Sequence, residues 1–182
     1  ALGHPDVVGL QVAIGEIRMA RGDYAGAITS LEAAAGVGDE AALPEVELRL
    51  GQVHARRGDV AAAASHLDAA LAGADERLRP TVLVERGAVA LRAGDLERAA
   101  SLASEALIAV ADTTGGTTAG AARRLLGLVA LRRGDLDAAR LFLRQHACLG
   151  GDDLERDGLL GLEIEGAKDD PGTAATHFSL DG

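Results

Sequence analysis

Tryptophan is absent, and one tyrosine and two phenylalanines are all the aromatic residues in 182 positions. The interior therefore has to come from Ala, Leu and Val, which let helices approach closely but put little bulk in each layer. The single cysteine, Cys148, excludes an intramolecular disulfide and fits a reducing compartment. Lys168 is the sole lysine, so nearly all positive charge is arginine. Acids outnumber bases 28 to 18 and the net charge is −10, which argues against general nucleic-acid binding, because that needs a basic face. No run approaches the ~18–20 apolar residues of a membrane span. Ala1 to Pro5 shows no basic stretch leading into an apolar one. The chain is read as cytoplasmic. Its missing initiator methionine and abrupt C-terminus point to a piece of a longer polypeptide, and its Arg, Ala and Gly bias points to a GC-rich bacterial source.

What is present is repetition. The stretch GQVHARRGDVAAAASHL, Gly51 to Leu67, has three close variants: GEIRMARGDYAGAITSL, GAVALRAGDLERAASLA and GLVALRRGDLDAARLFL. The turn glycines Gly22, Gly58, Gly94 and Gly134 are spaced 36, 36 and 40 residues apart. Gly15, Gly51, Gly87 and Gly127 each stand seven residues before a turn glycine. Ala27, Ala63, Ala99 and Ala139 follow twelve residues after those, and Leu31, Leu67, Ala103 and Leu143 four residues later still. Self-similarity at this period is the mark of a solenoid. In each unit a helix ends, glycine takes the left-handed position at no Cβ cost, and Asp23, Asp59, Asp95 or Asp135 caps the next helix. Arg-Gly-Asp occurs three times in these turns, and we read it as helix-turn chemistry, not an adhesion motif. The third unit has Ala93 in place of the arginine yet keeps Gly94 and Asp95.

The steps Ile14-Gly15, Leu50-Gly51 and Leu126-Gly127, followed by the alanine and the residue four beyond it, resemble the tetratricopeptide repeat, whose pattern runs L-G and then A-x3-F. The resemblance covers nearly the whole chain. It implies an all-α, right-handed α-solenoid of about five helix-turn-helix hairpins, with the first helix of each (helix A) lining the concave face. The expected units are about 5–36, 43–73, 77–111, 117–149 and 152–180. Pro5, Pro80 and Pro171 suit helix starts. Helix A of the third unit is expected over 79–92 and its partner over 96–111, and in the first unit Gly36 to Asp39 should end the second helix. The Gly/Thr-rich stretch 112–118 accounts for the longer spacing. It lacks the Gly-Lys-Ser/Thr ending of a phosphate loop and is read as a connection. In the fifth unit Asp170 and Pro171 replace the glycine turn. The usual aromatic places hold Gln11, Glu47, Leu83 and Arg123, and then Arg18, His54, Ala90 and Ala130.

No catalytic constellation emerges. His4, His54, His66, His146 and His177 form no H-E-x-x-H, and Cys148 has no nearby partner cysteine. His54 and His66 fall on opposite helices of one hairpin, where packing is the expected role. No metal or cofactor is expected. The resemblance instead directs attention to the concave face. Its register places Val12, Glu16, Met19 and Ala20 there in the first unit, Leu48, Gln52, Ala55 and Arg56 in the second, Val84, Ala88, Leu91 and Arg92 in the third, and Arg124, Leu128, Leu131 and Arg132 in the fourth. That describes a largely apolar floor edged by Arg56, Arg92, Arg132 and Arg124. The candidate binding residues are Gln52, Arg56, Arg92, Arg124, Arg132, Leu48, Val84 and Leu128. Guanidinium groups suit bidentate carboxylate recognition, so the expected partner is a protein or peptide with acidic and apolar residues. Val12 and Glu16 stand where chaperone-binding relatives carry a lysine and asparagine clamp, so chaperone tails are not expected. Two other readings are a sensor segment, covalently linked to the effector domains of a larger bacterial signalling ATPase or transcriptional regulator, and a self-association module.

Overall fold

In a computed structural model the described residues are 6–37, 40–110 and 116–147, with side chains described to residue 142. They form four helical hairpins: α1 (Val7–Ala20) with α2 (Tyr24–Val37), α3 (Leu43–Arg57) with α4 (Val60–Gly73), α5 (Arg79–Arg92) with α6 (Leu96–Ala109), and α7 (Thr117–Arg132) with α8 (Leu136–Ala147). The arrangement is a right-handed α-solenoid. The fifth hairpin expected over 152–180, together with Cys148 and His177, lies outside the described residues.

Each hairpin turn is built from one set of interactions. Gly22, Gly58, Gly94 and Gly134 take φ of +80°, +89°, +82° and +80°. The next residue is an aspartate whose N–H donates back across the helix end: Asp59 to the His54 carbonyl at 2.9 Å, Asp95 to Ala90 at 2.9 Å, Asp135 to Ala130 at 3.0 Å. This closes the Schellman pattern and satisfies carbonyls that would otherwise be orphaned. The aspartate side chain then accepts from the N–H three residues on, at 2.9 Å from Gly26, 3.1 Å from Ala62, 3.0 Å from Arg98 and 3.0 Å from Ala138. Two residues thus end one helix and start the next.

Within a hairpin the helices nearly touch. A Cβ added to Gly51 would lie 2.5 Å from Leu67 Cγ and 3.4 Å from the Ala63 carbonyl oxygen. Ala63 and Leu67 are both fully buried. Between hairpins, each core cluster joins three helices. Ala27, Leu31 and Ala34 of α2 meet Val46, Leu50 and Val53 of α3, with Val8, Val12 and Met19 of α1 beside them. Ala63, Leu67 and Ala70 of α4, with Leu48 and Ala55 of α3, meet Val82 and Val89 of α5. Leu91 and Ala99 meet Leu125 and Val129 in the same way. The core is therefore a continuous seam of aliphatic side chains, each unit covered by the next.

Two local details differ from the sequence reading. Helix α2 continues through Gly36 to Val37, since one glycine costs a helix only about 1 kcal/mol. Arg86 stands at the place of the L-G leucine and is 6% exposed. Its Nε and Nη2 donate to the two carboxylate oxygens of Asp68 on α4, at 2.7 and 3.1 Å. This bidentate pair substitutes a directional bond between hairpins for the aliphatic packing found in the other units.

Candidate functional site

The A helices α1, α3, α5 and α7 keep one stripe accessible on the side turned away from their partners. On α3 it comprises Glu45, Arg49, Gln52 and Arg56, and on α5 Thr81, Glu85, Ala88 and Arg92. The spacing, four, three and four residues, is that of one helix face. The α7 counterparts Leu128 and Arg132 are half-buried and exposed.

Part of the apolar floor expected from the register is withdrawn into the core, while Val12, Met19, Ala88, Leu128 and Leu131 stay half-buried. Leu48 is 3% exposed, Ala55 8% and Leu91 9%, so all three belong to the core. Each sits toward the following A helix, and Leu48 and Ala55 cluster with Val82 and Val89 of α5. Stacking of the next hairpin takes these side chains from solvent, and Leu48 has no surface to offer a ligand. Val84 and Leu128 are half-buried against the same seams.

A polar ladder also crosses the face. Arg49 Nε lies 3.0 Å from Glu16 on α1, and Arg49 Nη1 donates to Gln52 Oε1 at 3.2 Å. Gln52 Nε2 then donates to Glu85 on α5 at 3.0 Å. Three hairpins are linked, and Gln52 is held by the protein itself. Arg49 and Glu85 were not singled out in the sequence, whereas Glu16 was placed on this face by the register without a partner being named. The signal available was the interval between Gln52 and Glu85, one period less three residues, which puts them on adjoining helices about one turn apart.

The arginine edge is different. Arg56, Arg92 and Arg132 occupy the last turns of α3, α5 and α7 and are exposed. None has a hydrogen bond or ion pair among the described residues. Of the other arginines, Arg18 donates to Ser30 at 2.9 Å, Arg57 pairs with Asp59 at 3.1 Å, Arg79 with Glu105 at 2.9 Å and Arg133 with Glu97 at 2.8 Å. Arg21, Arg77 and Arg140 are exposed, and their side chains are likewise without a partner among the described residues. What sets Arg56, Arg92 and Arg132 apart is that they recur in repeat register. Arg124 is half-buried and engaged, so it does not extend this free edge.

His54 and His66 stack between α3 and α4, with ring centroids 5.0 Å apart and planes 19° from parallel. His66 Nδ1 lies 2.7 Å from Glu47 Oε2, and His54 Nδ1 lies 3.7 Å from Asp59 Oδ2. Burial, and then the charges of His66 and Arg57, push His54 below the ordinary histidine range, against the pull of Asp59. Asp59 is held below the usual carboxylate range by the Ala62 N–H and by Arg57. Among the described residues no three His, Cys, Asp or Glu side chains are placed to hold a metal ion. No described helix is long and apolar enough to cross a membrane. A hollow of about 500 Å³ opens beside Val8, Val12, Val37 and Val46, with Asp6 and Glu45 on its wall. Its charge is of the wrong sign for an acidic ligand.

The tetratricopeptide repeat pattern matches residues 12–76, 48–114 and 84–153, overlapping matches that run through most of the chain. The chain belongs to the tetratricopeptide repeat family. No curated protein matches the sequence. Solved structures share the fold at low identity. BtubC from P. vanneervenii is 17% identical with a TM-score of 0.67, over 96% of this chain and 71% of that one. A putative kinesin light chain from Podosopora anserina with TPR-like repeats is 18% identical with a TM-score of 0.64, over 80% and 76%. MamA is 19% identical with a TM-score of 0.61, over 80% and 79%. As a tetratricopeptide repeat protein, the chain is a protein-interaction scaffold in general terms.

Proposed function

We propose that this tetratricopeptide array is a non-catalytic scaffold that binds an acidic protein or peptide segment along the Arg56–Arg92–Arg132 edge of its A-helix face. One observation carries the reading: three arginines in repeat register, all exposed and all without a partner among the described residues. Adjacent A helices in contact are separated by roughly 10 Å. An extended chain rises about 3.3 Å per residue, so acidic side chains about three residues apart match the edge. The Glu16–Arg49–Gln52–Glu85 ladder lies deeper along the same helices. Its carboxylates repel an acidic ligand and confine it to the arginine edge, while Ala88 and Leu128 give apolar surface beside it. Binding rests on a preformed surface, so little ordering entropy opposes it.

The test is a capture experiment from host lysate with mass spectrometry, using the wild type beside the Arg56→Glu/Arg92→Glu/Arg132→Glu variant. Each exposed pair contributes about 0.2–1 kcal/mol, and reversal adds repulsion, so the triple variant should lose at least roughly tenfold in affinity. The variant should stay folded and helical. Glutamates in the last turns oppose the helix dipoles, at about 0.3–1 kcal/mol each, so its melting temperature should fall by several degrees and affinity is compared well below that temperature. A partner held equally by both proteins would place binding on another surface and refute the proposal.

A further inference from the structure

The hollow of about 500 Å³ lies at the junction of the first two hairpins, between α1, the end of α2 and the start of α3. The same junction recurs 36 residues on, and there it is filled. Leu78 packs onto the cluster that holds Leu48 and Val82. Pro44 rests on the backbone of Gly73, where an added Cβ would lie 2.8 Å from the proline Cγ. At the first junction the Leu78 position is Ala42, so an isopropyl group is missing. The Gly73 position is Val37, which stands 61% exposed at the rim. Charge differs as well. The first junction has Asp6 and Glu45 where the second has Ala42 and Thr81. Both the space and the two carboxylates therefore belong to this junction and are not shared with the next.

We infer that this hollow binds a small aliphatic amine in its ammonium form. Val8, Val12 and Val46 line the floor with methyl groups, and no lining side chain carries a hydrogen-bond donor. The ligand must supply both the donors and a hydrocarbon body. The volume falls within the range of roughly 300–1,000 Å³ usual for small-molecule sites. The N-terminal poles of α1 and α3 open on the same space, each equal to about half a positive charge. Arg49, 3.6 Å from Glu45, is shared with Glu16 at 3.0 Å. The two carboxylates thus leave about one negative charge for the ligand to meet. An amine that also carries a carboxylate, such as an amino acid, is turned away by the same groups. The site stands apart from the arginine edge, because Glu45 and Arg56 are roughly 16 Å apart along α3.

The test is a titration of the chain, labelled with carbon-13 at its valine methyls, with hexylammonium chloride at neutral pH and constant ionic strength. Saturable shifts are expected at Val8, Val12, Val37 and Val46 and not at Val82 or Val89. Hexanol and hexanoate should bind at least about tenfold more weakly, since neither answers the carboxylates. Ala42→Leu restores the residue of the second junction and should abolish the shifts. The backbone accepts it, because residues 42 and 78 share the right-handed helical conformation, with φ of −83° and −82°. Asp6→Asn with Glu45→Gln keeps a capping side chain on α1 and should reduce hexylammonium to the affinity of hexanol. If Ala42→Leu does not fold, this second variant carries the test. Shifts that spread through the other hairpins without saturating overturn the inference. So does equal binding of hexanoate, or a folded Ala42→Leu protein that binds hexylammonium as the wild type does.

Discussion

Substituting Gly51 and Gly36 by alanine makes the same chemical change in two helices and should have opposite effects. At Gly51 the new Cβ falls 2.5 Å from Leu67 Cγ and 2.8 Å from Cδ2. Leu67 is fully buried, so it cannot swing into solvent, and the Ala63 carbonyl 3.4 Å away limits any shift of the helix. Overpacking of this kind costs about 1–3 kcal/mol, while replacing a helical glycine by alanine returns about 1 kcal/mol. Gly51→Ala should therefore destabilise the array by about 1 kcal/mol. At Gly36 a Cβ meets nothing within 4 Å, only the propensity gain remains, and Gly36→Ala should stabilise by about 0.5–1 kcal/mol. For a chain of this length 1 kcal/mol corresponds to roughly 2–4 °C, so the two variants should melt about 4 °C or more apart. Urea unfolding followed by far-ultraviolet circular dichroism, with thermal melts alongside, measures both. A Gly51→Ala protein as stable as Gly36→Ala would show that the helices of the second hairpin are not held at the distance described.

Two further outcomes follow from polar groups inside the seams. Asp68→Ala leaves the Arg86 guanidinium buried without its bidentate acceptor, which should cost about 1.5–3 kcal/mol in urea unfolding. Arg86→Met with Asp68→Ala should recover much of that loss, because an apolar pair leaves no charge stranded. His54 has a folded pKa below its unfolded value, so the unfolded state binds the proton first as pH falls. Its contribution is complete above about pH 6.5 and is lost as pH drops through that value toward the folded pKa. The depressed Asp59 acts with the same sign further down, its contribution being lost as pH falls below the usual carboxylate range. Melting temperatures of wild type and His54→Gln from pH 7.5 to 5 should converge as pH falls, and a constant difference would contradict the assignment.

The hairpin turns were legible because the chain repeats them. A glycine recurring in register before an aspartate needs both the left-handed φ and the cap, and no single copy had to carry the argument. The same recurrence exposed the close approach at Gly51, since glycine and alanine twelve residues apart return in each unit. Burial of Leu48, Ala55 and Leu91 was not legible in that way. A helix-A stripe read from one unit looks free, and only the next helix, set down beside it, decides which edge of the stripe is covered. The ladder through Arg49, Gln52 and Glu85 was missed for a related reason: its partners differ in type from unit to unit, so repetition gives no hint of them. Arg86 broke the L-G pattern and read as a departure, when its partner Asp68 lies in the preceding hairpin.

The scarcity of aromatic side chains has a spectroscopic consequence. With no tryptophan, ultraviolet emission comes from one phenol, Tyr24. That ring is packed against the cluster joining α2 to Val46, Leu50 and Val53 of α3. Its fluorescence therefore watches a single junction near the leading end, blind to everything beyond the second hairpin, while backbone dichroism averages over all the helices. The two signals amount to a natural pair of gauges, local and global, and the denaturant interval between their midpoints measures how far fraying at that end runs ahead of collective unfolding.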